Sequence, residues 1–95
     1  MKIPRLLTIK GAHWQVIITR TLKYGENGEE LLGLCDPSTR CLYINKKQSE
    51  RQQWITFCHE YCHAWEHEYE IKLGHRIIEK VESTMADFVQ SILFG

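Results

Sequence analysis

The chain has no excess of charge of either sign: Lys and Arg together number 12, and so do Asp and Glu. That balance argues against nucleic acid or an anionic membrane as a partner held by bulk electrostatics, and the basic residues are scattered rather than gathered in one stretch. A long apolar run is also lacking. The segment Met1-Lys2-Ile3-Pro4-Arg5-Leu6-Leu7-Thr8 has neither the apolar core nor the small-residue cleavage site of a signal peptide, and nothing approaches the roughly 20 apolar residues that span a bilayer. The expectation is a cytoplasmic protein. Repeats, linkers and low-complexity segments are absent too, and 95 residues leave room for one domain, spanning 1–95, with one modest core. Four cysteines, Cys35, Cys41, Cys58 and Cys62, suffice for two disulfides. Without a secretory signal they are expected to be reduced thiols, the one pairing left open being Cys35 with Cys41 across the turn Asp36-Pro37-Ser38-Thr39.

What is present divides into two halves. Trp14-Gln15-Val16-Ile17-Ile18-Thr19, rich in β-branched and aromatic residues and preceded by the breaker Gly11, predicts a strand. The turn-rich stretch Tyr24-Gly25-Glu26-Asn27-Gly28 leads to Leu31-Leu32-Gly33-Leu34-Cys35, and Arg40-Cys41-Leu42-Tyr43-Ile44-Asn45 follows the next turn, so these two segments predict an antiparallel hairpin. From Ser49 onward the period becomes helical. Ser49 with Gln52 matches a capping box and places a helix start near Glu50. On a wheel of about 100° per residue with His59 at zero, Ile55, Cys58, Cys62, Trp65 and Tyr69 form one apolar stripe, the expected core face. Gly74 is a plausible stop. A second helix is predicted from about Arg76 to Phe94, with Ile78, Val81, Met85, Phe88, Val89 and Ile92 on its buried side.

His59-Glu60-Tyr61-Cys62-His63 is an H-E-x-x-H motif, and capping and periodicity independently put it on a helix. Residues four apart project from one face, so two imidazoles can reach one zinc at about 2.0–2.1 Å each. Glu60, rotated by about 100° from His59, is too far round to chelate with the pair but near enough to act as general base toward a water at the metal. The competing reading is a pair of half-buried surface histidines at the margin of the stripe. Cys58 and Cys62 lie in the middle of that stripe and read as small core residues rather than thiolate ligands.

A catalytic zinc keeps three protein ligands and one open position, so a third ligand is needed. With Ile78 at zero, Glu82 falls at about 40°, inside the apolar face of the second helix, where an unpaired carboxylate is costly and a metal would compensate it. Glu82 is the choice on these grounds, with Glu79 at the margin read as a solvated residue. Glu66 lies roughly 10 Å along the helix from His59, too far to share its metal. His67 could pair with His63 only by displacing His59. His75, in the turn between helices, suits oxyanion stabilisation better than ligation, and an ordinary loop histidine best of all.

These residues together resemble the ImmA/IrrE-type metallopeptidases of bacteria and phages, especially short phage-encoded members. The resemblance rests on Leu32-Gly33-Leu34-Cys35-Asp36 through Ile44, on His59-Glu60-Tyr61-Cys62-His63-Ala64, and on Glu82 followed by Phe88, Ile92 and Leu93. This chain differs in having Tyr61-Cys62 where many members have Leu-Gly, and Met85-Ala86 where many have Ala-Asn. The resemblance implies a zincin-like α+β domain: an antiparallel three-stranded sheet, an active-site helix and a C-terminal helix. It implies zinc on His59, His63 and Glu82, and hydrolysis of a peptide bond in a protein substrate with Glu60 as base. The strand Cys41-Leu42-Tyr43-Ile44 is expected to offer an edge to an extended substrate. The alternative is a non-catalytic, zinc-stabilised interaction module, against which the retained Glu60 argues.

Overall fold

The computed structural model describes residues 2–24 and 27–94, and within them the elements run β1 (Leu6–Ile9), β2 (Ala12–Thr19), β3 (Lys23–Tyr24), β4 (Glu29–Glu30), β5 (Gly33–Asp36), β6 (Cys41–Asn45), α1 (Glu50–Tyr69) and α2 (His75–Phe94). Gly25 and Glu26 of the predicted turn, and the side chain of Leu93, lie outside the described residues. The β1–β2 hairpin turns on Lys10 and Gly11, whose φ values of 51° and 79° are the positive pair that a two-residue hairpin requires. Gly11 is thus the second central residue of a turn. Lysine in the first central position, where Asn or Asp usually signals the turn, conceals the strand before it.

The predicted three-stranded antiparallel sheet is corrected to a mixed sheet of four strands in the order β1-β2-β6-β5, beside the short β3–β4 ribbon. The predicted hairpin is present as β5 antiparallel to β6, with Cys35 opposite Leu42 and Asp36 opposite Cys41. The parallel pair is β2 with β6. β6 enters the middle of the sheet because it is the strand with most to bury: Cys41, Leu42, Ile44 and Asn45 are all buried, as a strand with neighbours on both edges must be. The run of buried positions in β6 therefore marks a central strand, and the expected substrate edge along Cys41-Leu42-Tyr43-Ile44 is closed on both sides. The edge strands are β1 and β5, and β5 is the one that lies against Glu60 of the motif helix. The same register settles the cysteines, since successive side chains on a strand alternate in direction. Cys35 and Cys41 project from opposite faces, and all four thiols are free.

Ser49 caps α1 as predicted, its hydroxyl accepting from the backbone N–H of Gln52 at 3.2 Å. The helix stops before Gly74: Glu70 takes a left-handed conformation and its N–H closes onto the carbonyls of Glu66 and His67. α1 packs across β5 and β6 on one side and against α2 on the other, which is why its buried set, Trp54, Phe57, Cys58, Cys62 and Ala64, is wider than one stripe. Tyr69 from the predicted stripe is exposed. The core gathers Trp14, Val16, Leu42 and Ile44 from the sheet with Trp54, Phe57 and Cys58 from α1 and Ala86 from α2. Full burial of side chains such as Leu42 and Ile44 contributes about 1.5–3 kcal/mol each. On α2, Ile78 and Ala86 are buried, but Val81, Phe88 and Ile92, predicted to face inward, are exposed. The helix has two apolar stripes and only one meets α1. Among the described residues no helix is long and apolar enough to cross a membrane.

Two polar side chains set the approach of β5 to α1. The buried Asn45 amide donates to the carbonyl of Leu31 at 2.9 Å and to Glu30, while Gln48 donates to the carbonyl of Leu32 and accepts from Thr56 at 2.8 Å. They hold the backbone just ahead of Gly33 against the helix.

Candidate metal centre

One turn of α1 separates His59 from His63, and their Nε2 atoms converge to 3.3 Å. Two nitrogens bound to one tetrahedral zinc at about 2.0–2.1 Å stand about 3.3–3.4 Å apart, so the pair has the spacing of two ligands to one ion. The opposite ring nitrogens are both engaged. Nδ1 of His59 lies 2.6 Å from Oε2 of Glu82, and Nδ1 of His63 lies 2.9 Å from Oε1 of Glu66. A carboxylate on Nδ1 fixes the ring proton there and leaves the Nε2 lone pair free. With Nε2 unprotonated on both rings, two lone pairs that face each other at 3.3 Å favour a cation between them, and the residues present fit a metal.

His75 opens α2 rather than lying in the turn. Its ring is 4.6 Å from that of His63 and 5.5 Å from that of His59, centre to centre. One ligand nitrogen from each of His59, His63 and His75 falls within 4.8 Å of the others. Glu82, the sequence-level choice of third ligand, is beside the pair on the Nδ1 side of His59. His67 is exposed, its ring against Trp14 at 6.3 Å, and does not join the cluster. Nor do the cysteines supply thiolates: burial pushes Cys58 to about 12 and Cys62 to about 11, keeping both protonated as the apolar stripe implies.

Glu60 is 8% exposed. Its burial, opposed by His59 and reinforced by Glu82, raises the carboxyl to about 7. Its side chain lies on Gly33 of β5: a methyl group built on that glycine would stand 2.9 Å from Oε2 and 3.0 Å from Cγ of Glu60, and 2.5 Å from Cγ2 of Thr56. Glycine is what lets the edge strand approach the motif helix this closely. Two clefts meet at Gly33, His59 and Glu60. One, of about 420 Å³, continues past Thr56 to Glu79 and Glu82; the other, of about 610 Å³, passes Leu34, Cys35 and Pro37 to His63 and His75.

Sequence reasoning brought together His59, Glu60 and His63 but assigned no part to Glu66, Gly33 or, as a ligand, His75. Glu66 carried a usable signal, since it stands three residues beyond His63 on the same helix face. His75 carried none, because its place depends on how two helices pack.

Residues 17–88 match the peptidase family described as the IrrE N-terminal-like domain. No curated protein and no solved structure matches the chain.

Proposed function

Because the chain belongs to the family of IrrE N-terminal-like domains, we propose that it is a zinc-dependent peptidase that hydrolyses a peptide bond in a protein or peptide substrate, with His59 and His63 as metal ligands and Glu60 as general base. The observation that carries this reading is the convergence of the two Nε2 atoms at 3.3 Å beside a buried carboxylate at the junction of two clefts. His75 and Glu82 both stand next to the pair as sources of a third ligand.

The rest of the site suits an extended substrate. Leu32 and Asn45 form a bonded pair in the β5–β6 ladder, the Asn45 N–H donating to the Leu32 carbonyl at 2.9 Å. The alternation of an antiparallel ladder then aims the N–H and C=O groups of Gly33 and Cys35 toward the open side of β5. A peptide added along that edge would lie across His59 and Glu60, held by main-chain hydrogen bonds that any sequence can make. When bound, the metal supplies Lewis acidity toward a carbonyl oxygen and a water molecule. Glu60 accepts the proton of the attacking water and returns it to the leaving amine. Burial that leaves this carboxyl ready to hold a proton serves the second half of that exchange.

The experiment is proteolysis of an unbiased peptide library by the zinc-loaded chain and by Glu60→Gln, with zinc content measured on both. The expected result is cleavage by the wild type and a loss of about 10²- to 10⁴-fold in the variant at unchanged zinc content. Full hydrolysis by Glu60→Gln would remove the carboxylate from the mechanism. A zinc-loaded wild type that cleaves no member of the library would favour a metal-stabilised interaction module.

A further inference from the structure

We propose that His75 completes a three-histidine metal centre, and that Glu82 and Glu66 serve outside it, each orienting one ligand imidazole through Nδ1. The inference rests on the metal-binding reading above and assigns its third ligand.

The geometry separates the two candidates. An imidazole presents Nδ1 and Nε2 on different edges of the ring, and the Nε2 atoms of His59 and His63 are the ones that face each other. A nitrogen of His75 joins that cluster within 4.8 Å. The Glu82 carboxylate instead takes the Nδ1 edge of His59 at 2.6 Å. To become a ligand it would have to give up a charge-assisted hydrogen bond, leaving the ring it now orients without a partner.

Glu66 supplies the second, independent observation. Its Oε1 takes Nδ1 of His63 at 2.9 Å, and its Oε2 accepts the backbone N–H groups of Leu73 at 2.6 Å and Gly74 at 3.0 Å. Those two residues immediately precede His75. One carboxylate therefore orients His63 and pins the end of the loop that delivers His75 beside it. Glu66 and Glu82 are positioning residues of the carboxylate–histidine–metal kind. Three neutral imidazoles leave the full double charge of the ion uncompensated by its ligands, which strengthens its Lewis acidity relative to a site containing a carboxylate.

The test is X-ray absorption spectroscopy of the zinc-loaded wild-type chain, which counts imidazole ligands without any substitution, together with zinc affinity measured by competition with a chelator. Three imidazoles are expected. His75→Ala is expected to lower affinity by more than about 100-fold and reduce the count to two, while Glu66→Gln and Glu82→Gln lower it about 10- to 100-fold and keep three. A wild-type spectrum of two imidazoles and a carboxylate, with affinity unchanged in His75→Ala, would overturn the assignment, leave the peptidase reading intact and make Glu82 the ligand. A folded wild type that takes up no zinc would overturn both.

Discussion

Gly33 is the residue on which the two walls of the site depend. It lies on β5, yet a single methyl group there would meet Thr56 and Glu60 of α1 at 2.5 and 2.9 Å. Gly33→Ala is therefore expected to destabilise the protein by about 1–3 kcal/mol, the cost of overpacking, and to displace the Glu60 carboxylate, so that hydrolysis falls further than stability accounts for. Thr56→Ser removes the closest of the clashing atoms and keeps the hydroxyl that bonds Gln48 at 2.8 Å. Added to Gly33→Ala, it should recover much of the lost stability in chemical denaturation. Equal stability of Gly33→Ala and wild type would show that β5 can recede from the helix without cost.

At the scale of elements, Glu68 ties the sheet to the end of α1. It accepts from the Trp14 indole at 2.7 Å and from the Arg40 guanidinium at 2.6 Å, joining β2 and the turn before β6 to the helix. The Arg40 hydrogen bond is the main cause that holds the Glu68 carboxyl below its ordinary value of 4.5. The sign follows from which state binds protons more tightly. The unfolded chain takes up a proton on this group at higher pH than the folded one does. The stabilisation is thus present above pH 4.5 and is lost as pH falls from there through the folded value. Arg40 is half exposed, so solvent and salt moderate the effect. Thermal melts between pH 7 and pH 3 should show Glu68→Gln less stable than wild type at pH 7 and less sensitive to acid below pH 4.5. Parallel curves for the two proteins would mean that the contact does nothing for folding.

For the whole molecule, the candidate metal centre is where α1 meets α2, since His59 and His63 lie on one helix and His75 and Glu82 on the other. An ion held there binds only when both helices are docked, so its binding free energy adds to folding. Zinc at about 100 times its dissociation constant stabilises by about 2.7 kcal/mol, which for a chain of this size is a rise of roughly 10–20 °C in melting temperature. A chelator should reverse it, and Glu60→Gln should retain it. Coincident melts with and without a stoichiometrically bound ion would show that the ligands need no folded scaffold to hold it.

What was legible in the sequence was local. Ser49, the helical period and the four-residue spacing of His59 and His63 all act within a turn or two of one helix, so the motif helix, its start and the place of Glu60 beside the pair follow from the order of residues. The β5–β6 hairpin follows for the same reason, its strands being separated only by Pro37 through Arg40. The tertiary structure decided whatever joins distant segments. It put β6 between β2 and β5, because a strand buried along most of its length takes a central position, and so left β5 as the edge strand beside the motif helix. It turned Phe88 and Ile92 outward, because a helix packed on one neighbour can cover only one of its stripes. It also brought His75 to His63 through Glu66 and two backbone N–H groups, since a site built across a helix–helix interface has no spacing rule along the chain.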